Sequence, residues 1–407
     1  MVHAISRPAG RITTLDVLQG VVLLALLIAQ GYGHFASPYP GHSLRLDEHH
    51  PDLPVHFILQ LLVSGQFDRL GSFLFGLGFY QCWQHAGLDG PGLDGPGLDG
   101  PGLDGPRIAQ RLLLLLLVIG LCLSLLIRSA DLLFQYALLG FTLPYFCRHS
   151  VSSLLGWMVG LAGLGILVPS LLSLLPAFHL PMTSFRTGSV GEFLNWQCLR
   201  EWLVPGRSVS KGFTPFISYE LMMLGGMLIG KLGILPRDIR LRMHLSLLQL
   251  LLLPVAFIVK GAWVVLAFGL VVLPEWVVAY QPVLLILSGF VGPLLLTGVY
   301  LLDMGLNTRL IPWGKASWLG QVGQMGLTNY VLQLVLCPLL LYGYGVAVSG
   351  PIPLWGRAGI VVGIYTFLIG FSRVWRKHYR QGPIEWVCRQ WIYNKWGQSN
   401  SVTMAKR

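Results

Sequence analysis

An all-α, polytopic membrane helix bundle is the fold class this chain predicts, and three observations carry it. Of its 407 residues 54% are hydrophobic and only 11% charged, where a soluble domain carries roughly a quarter charged. The apolar residues gather in runs near the roughly 20 residues that cross about 30 Å of hydrocarbon. Between two such runs stand four head-to-tail copies of Gly-Leu-Asp-Gly-Pro at residues 87–106. That density of Gly, Pro and Asp leaves backbone groups unpaired, so this stretch must lie outside the hydrocarbon.

Ten spans follow in order, at 15–33, 60–84, 108–127, 131–147, 151–175, 214–232, 243–264, 281–302, 317–342 and 353–373. The apolar stretch 264–278 adds a shallow or re-entrant candidate. Arg7 and Arg11 precede the first span and no small-residue cleavage site follows it, so that span is expected to stay as an anchor. With the N-terminus inside, 19 of the 28 Lys and Arg fall in inside segments and 8 outside, Arg69 lying within a span. This bias predicts that both termini are cytoplasmic.

One membrane domain is expected over 1–407. It carries the repeat loop at 87–106, an extracytoplasmic loop at 176–213 and a basic cytoplasmic tail at 374–407. The repeat has a turn signal in every unit and a period far below that of solenoids, and reads as a flexible loop expanded by duplication. Residues 192–203 read as an amphipathic helix on the membrane surface. The net charge of +11 is scattered over helix ends, which points to anionic membrane lipids as partners and not to nucleic acid. Of the six cysteines only Cys198 falls in an outside loop, so no extracytoplasmic intramolecular disulfide is expected.

Ionisable groups within or at the edge of a bilayer are costly, and each is a site hypothesis. Asp16 opens the first helix, where a cap competes with a functional role. Asp68 and Arg69 interrupt the second span and are expected to face the bundle interior or a wet cavity. Arg128 and Asp131 close a short turn at a spacing that also permits a local salt bridge. Lys260 and Glu275 are expected to snorkel to the outer surface. His34 leaves the first helix at the membrane exit, where an imidazole can act as general base or simply face solvent. His49, His50 and His56 beside Asp47, Glu48 and Asp52 have ligand chemistry for zinc or copper. Pro51 and Pro54 favour an extended loop there, and no metal site is assigned. Phosphate-cradling, zinc-protease and serine-hydrolase signatures are absent from the sequence.

Five stretches together resemble the YeiB family of bacterial inner-membrane proteins. They are Leu15-Asp16-Val17-Leu18-Gln19-Gly20; Leu74-Phe75-Gly76-Leu77-Gly78; Ala130-Asp131-Leu132-Leu133 with Tyr136-Ala137-Leu138-Leu139-Gly140; Val322-Gly323-Gln324-Met325-Gly326-Leu327-Thr328-Asn329-Tyr330 with Gln333 and Cys337; and Tyr379-Arg380-Gln381-Gly382-Pro383-Ile384-Glu385-Trp386. The resemblance implies a multi-pass protein of the bacterial inner membrane, with a label of transport. It also implies a distant similarity to membrane acyltransferases, including the lysosomal heparan glucosaminide acetyltransferase. His34-Phe35-Ala36-Ser37, with Asp68 on the next helix, is loosely similar to that enzyme's working histidine context. The chain departs from the family pattern at Gln19 and Gln324, where the family has arginine, at Ala130 for glycine, and at Leu123 for histidine.

The leading expectation is transfer of an acyl group from acetyl-coenzyme A or another acyl thioester to an extracytoplasmic glycan or lipid. His34, Asp68 and Asp131 would be catalytic, and Arg69, Arg128, Gln19, Gln324, Asn329 and Tyr330 would bind substrate. A transporter or flippase of a small or lipid-linked substrate is the alternative, and a non-catalytic membrane partner the third reading.

Overall fold

A computed structural model describes residues 14–34, 52–88, 105–126, 132–173, 205–233, 239–271, 274–278, 280–307, 318–341, 354–379 and 381–392. Every regular element among them is helical. In chain order they are α1 (Thr14–Ala29), which runs into a π turn (Gln30–His34), α2 (Leu53–Leu62), α3 (Gln66–Leu88), α4 (Gly105–Leu126), α5 (Leu132–Gly140), α6 (Leu143–Cys147) and α7 (Val151–Ser173). There follow α8 (Pro205–Leu232), α9 (Ile239–Phe268), α10 (Glu275–Val278), α11 (Gln281–Asn307), α12 (Trp318–Gln324), α13 (Gly326–Leu341), α14 (Leu354–His378) and α15 (Pro383–Ile392).

Among the described residues six helices are long and apolar enough to cross a membrane: Leu15–Tyr32, Val151–Leu171, Phe213–Leu232, Met243–Phe268, Gln281–Met304 and Leu354–His378. The expected span at 108–127 is the single helix α4, and the other three are broken. The one at 60–84 is interrupted between α2 and α3, that at 131–147 is split into α5 and α6, and that at 317–342 breaks at Met325. Helix α8 starts at Pro205, inside the stretch read as a loop, and part of the tail is helix α15. The apolar stretch after α9 holds only the short α10.

Two helix crossings build the centre. Helix α3 packs along α8, and α1 along α12. Each crossing is made by a reciprocal pair of glycines. A methyl group at Gly76 would overlap the carbonyl of Met223, and one at Gly226 the carbonyl of Phe73. Likewise Gly20 meets the Leu319 carbonyl and Gly323 that of Asp16. Lipid gives helices no hydrophobic reason to associate, so close backbone approach across small residues drives the packing. The glycines of the Leu-Phe-Gly and Val-Gly-Gln motifs are therefore crossing points.

Leu23, Leu27, Leu70, Phe75, Leu112 and Leu116 fill the core around these crossings, and Ala256, Leu296 and Val299 form a small second core between α9 and α11. Only 11% of the α7 span and 17% of the α9 span are buried. Their open faces display Val159, Leu167, Leu250, Leu251 and Ile258. A surface so apolar is tolerated only against lipid.

Candidate functional site

A helix that ends inside the protein leaves its last carbonyls without partners. Helix α2 stops at Leu62 and α3 starts at Gln66. Gly65 makes the turn with φ +84°, in the left-handed region that suits glycine. Four side chains take the exposed carbonyls. Gln66 Nε2 donates to Leu61 O at 2.6 Å, Tyr300 Oη to Leu62 O at 3.0 Å, Lys260 Nζ to Ser64 O at 3.2 Å, and the Arg69 guanidinium to Gly65 O. Two of these donors are cations at the negative end of the α2 dipole.

Both cations are buried, Arg69 at 4% exposure and Lys260 at 2%. Arg69 lies over the Tyr219 ring at 5.9 Å, and Lys260 over Trp263 at 4.4 Å. The expectation that Lys260 snorkels to the surface is corrected: its carbonyl partner on the broken helix draws it inward, 196 residues back along the chain. Arg69 Nε has no partner among the described residues. Asp68 sits beside it, and the Asp68 backbone carbonyl accepts from the Tyr136 hydroxyl. Tyr136 also meets Tyr219 edge-on at 5.7 Å.

Tyr136 reaches a cavity of about 30 Å³ between α1, α3, α5 and α13, room for one or two waters. Its walls are mostly apolar, with Leu23, Leu74 and Phe75 among them, and Gln19 and Tyr330 add polar atoms. Gln324 Nε2 donates to Asp16 Oδ2 at 3.1 Å, so the Asp16 carboxylate reaches a residue beyond its own helix. Asn329 Nδ2 donates to Val322 O at 2.8 Å and lies 2.9 Å from Ser372 Oγ, tying the break at Met325 to α14.

Glu385 completes this end. Its Oε1 accepts from the backbone N–H groups of Leu327 at 2.8 Å and Thr328 at 3.0 Å, and its Oε2 from the Thr328 hydroxyl. It caps the start of α13 from the tail helix, because Met325 has no side chain able to do so. Burial pushes the Glu385 carboxyl up, and the donors from Thr328 and Leu327 pull it part of the way back.

The fold therefore gathers Gln19 and Tyr330 on one cavity and pairs Gln324 with Asp16. It links them through Tyr136 to Asp68 and Arg69. His34 closes the π turn, but its side chain lies outside the described residues, as do Arg128, Asp131, His49 and His50. Sequence reasoning missed Glu220, a carboxyl in the apolar α8 span that is 4% exposed. A lone acid in so apolar a helix was signal enough. For coenzyme A the residues fit poorly: Gln19 on the cavity is neutral, and Gln324 is neutral and engaged with an acid. Neither supplies the cation a nucleotide phosphate needs.

Residues 229–395 match the family described as protein of unknown function (DUF418). The chain is 26% identical to the uncharacterized protein YxaH of Bacillus subtilis (strain 168), over 95% of each chain. It is 35% identical to the uncharacterized protein YeiB of Escherichia coli (strain K12) over 20% of this chain and 21% of that one. A third relative is an uncharacterized 39.9 kDa protein in the amylase 3' region of Bacillus acidopullulyticus, 34% identical over 27% of this chain and 29% of its own. No solved structure matches.

Proposed function

From a helical membrane protein of the YeiB type with a DUF418 segment at residues 229–395, we infer a translocator of an anionic, lipid-borne substrate. One observation carries this reading: the break between α2 and α3 holds two buried cations, Arg69 and Lys260. Broken helices lining a cavity are where membrane transporters bind charged groups, since irregular backbone survives at depth only there. Each cation spends a donor on a backbone carbonyl and has others to offer, Arg69 Nε among them. Asp68 offsets one of the two charges, which leaves the site attractive to an anion. The adjoining apolar cavity suits methylene groups.

Ten spans with both termini cytoplasmic, in the bacterial inner membrane, belong to the same reading. The broken pairs α5–α6 and α12–α13, with α3 and α4, then complete the count begun by the six long helices. Acyl transfer is the second reading, favoured by the apolar cavity, whose walls suit a short acyl chain. The neutral rim favours other acyl thioesters over coenzyme A.

The test is movement of fluorescent phosphatidylglycerol between leaflets of proteoliposomes, followed by dithionite quenching, with phosphatidylcholine as the uncharged-net control. The protein should move the anionic lipid faster. Arg69→Met/Lys260→Met should lower that rate at least tenfold, about 1.4 kcal/mol of barrier. Equal rates in protein-free vesicles would sink the translocation reading. Thioester-dependent labelling of a lipid or glycan would move the assignment to acyl transfer.

A further inference from the structure

Resting on the translocation reading, we propose that passage at the α2–α3 break is coupled to binding and release of a proton at Glu220. This side chain lies within the span Phe213–Leu232 and is 4% exposed. Its Oε2 has no hydrogen-bond partner among the described residues. Its Oε1 is 2.6 Å from Thr142 Oγ1, in the turn between α5 and α6. That same hydroxyl is 2.7 Å from the carbonyl of Leu139.

A hydroxyl has one proton, so it donates to one of these two oxygens at a time. When Thr142 donates to Leu139, the contact with Glu220 is a hydrogen bond only if the carboxyl itself donates, and Glu220 is then protonated. When Glu220 is ionised, Thr142 must turn toward it. Leu139 O then keeps only the Thr142 backbone N–H, at 2.9 Å. The proton state of Glu220 thus sets the direction of a hydrogen bond at a break in a spanning segment. An ionised carboxylate with a single donor inside a bilayer is costly, so loss of the proton favours a conformation that opens the site to water. Protonation forms an O–H bond at the carboxyl with a proton from solvent water on the open side, and release returns the proton to water.

The proton site and the cation site share two helices. Tyr219, next to Glu220 on α8, stacks on Arg69. Tyr136, six residues before Thr142 on the α5 side, donates to the carbonyl of Asp68. Among the described residues, Asp68 and Arg69 on α3 and Tyr136 on α5 are the charged and titratable groups these contacts bring to this place. Helix α11 adds Tyr300, committed to Leu62, and Asp303; α7 carries no ionisable side chain. Tyr80 and Cys82 of α3 and Tyr145 and Cys147 of α6 belong to the far end of α8, where Lys231 lies over Tyr80 and donates to the carbonyls of Phe146 and His149.

The test uses full-length protein in phosphatidylcholine vesicles with fluorescent phosphatidylglycerol as probe. An imposed gradient of about one pH unit, worth a factor of about ten at equilibrium, should accelerate wild-type movement in one direction. In Glu220→Gln, which keeps an oxygen to accept from Thr142, movement should become indifferent to the gradient. Wild-type movement that ignores the gradient overturns the proposal and leaves translocation standing. If no lipid moves, infrared difference spectra of the wild-type protein decide. A protonated-carboxyl band that changes with pH and vanishes in Glu220→Gln supports proton binding here, while a band unchanged by that substitution overturns it.

Discussion

Replacing Glu385 with alanine should loosen the junction between α12 and α13 without touching the lipid-facing surface. The carboxyl is 2% exposed and receives three hydrogen bonds, two of them from the first backbone N–H groups of α13. Loss of a helix cap costs about 1 kcal/mol and up to about 2, and a buried donor left without a partner costs about 1–3 kcal/mol. Water entering the space left behind recovers part of this, so a net loss of about 2–4 kcal/mol is expected. Thermal unfolding in nanodiscs, read by size-exclusion of the folded fraction, measures it. Glu385→Gln separates capping from charge, because its amide oxygen still accepts and never titrates. The folded-state pKa of Glu385 is raised above its ordinary 4.5. Its favourable contribution is therefore fully present below that ordinary value and is lost as pH rises through the folded value. Wild type should accordingly lose stability relative to Glu385→Gln over that window. An alanine variant as stable as wild type would refute the trans cap, and a pH-independent difference from glutamine would refute the charge argument.

Gly76→Ala or Gly226→Ala should abolish accumulation of folded protein, since the added methyl meets backbone carbonyl and no rotamer can relieve it; Gly156→Ala, with open space around it, is the matched control in a fluorescence size-exclusion assay. Tyr365→Phe should cost about 1 kcal/mol in the same unfolding measurement, through loss of the hydrogen bond to Gly20 O at 2.9 Å. Deleting two Gly-Leu-Asp-Gly-Pro copies should leave stability and lipid movement within about 1 kcal/mol of wild type, because loop length enters closure only logarithmically.

Local composition carried much of the architecture. Apolar runs located the long helices, but the stretch 60–84 reads as one continuous span, and the break between α2 and α3 at residues 63–65 emerges only in the fold. Glycines in the motifs were visible, but not their partners: Gly76 against Met223 and Gly20 against Leu319 are facts of tertiary packing. Lys260 was misjudged for the same reason. A lysine near a span end looks like a snorkelling one until a broken helix elsewhere supplies an orphan carbonyl. Glu385 stood in a recognisable motif, while its task depends on a helix start 58 residues upstream that lacks its own cap. Asp16 was weighed as a local cap, and its partner Gln324 is 308 residues away. What could be read was periodic or local; what escaped was pairing between distant segments.

The reciprocal glycine contacts restrict how this molecule can move. Where two helices touch backbone to backbone, no side chain lies between them to change rotamer, slide or yield. Helices α3 and α8 must therefore travel as one lever, and α1 and α12 as another. Among the described residues, the cavity edged by Tyr136 and Tyr330 lies between these two pairs, so a translocation cycle of the proposed kind would swing one stiff pair against the other. Such a machine has few moving parts, and a distance measured between one label on each lever would follow its whole stroke.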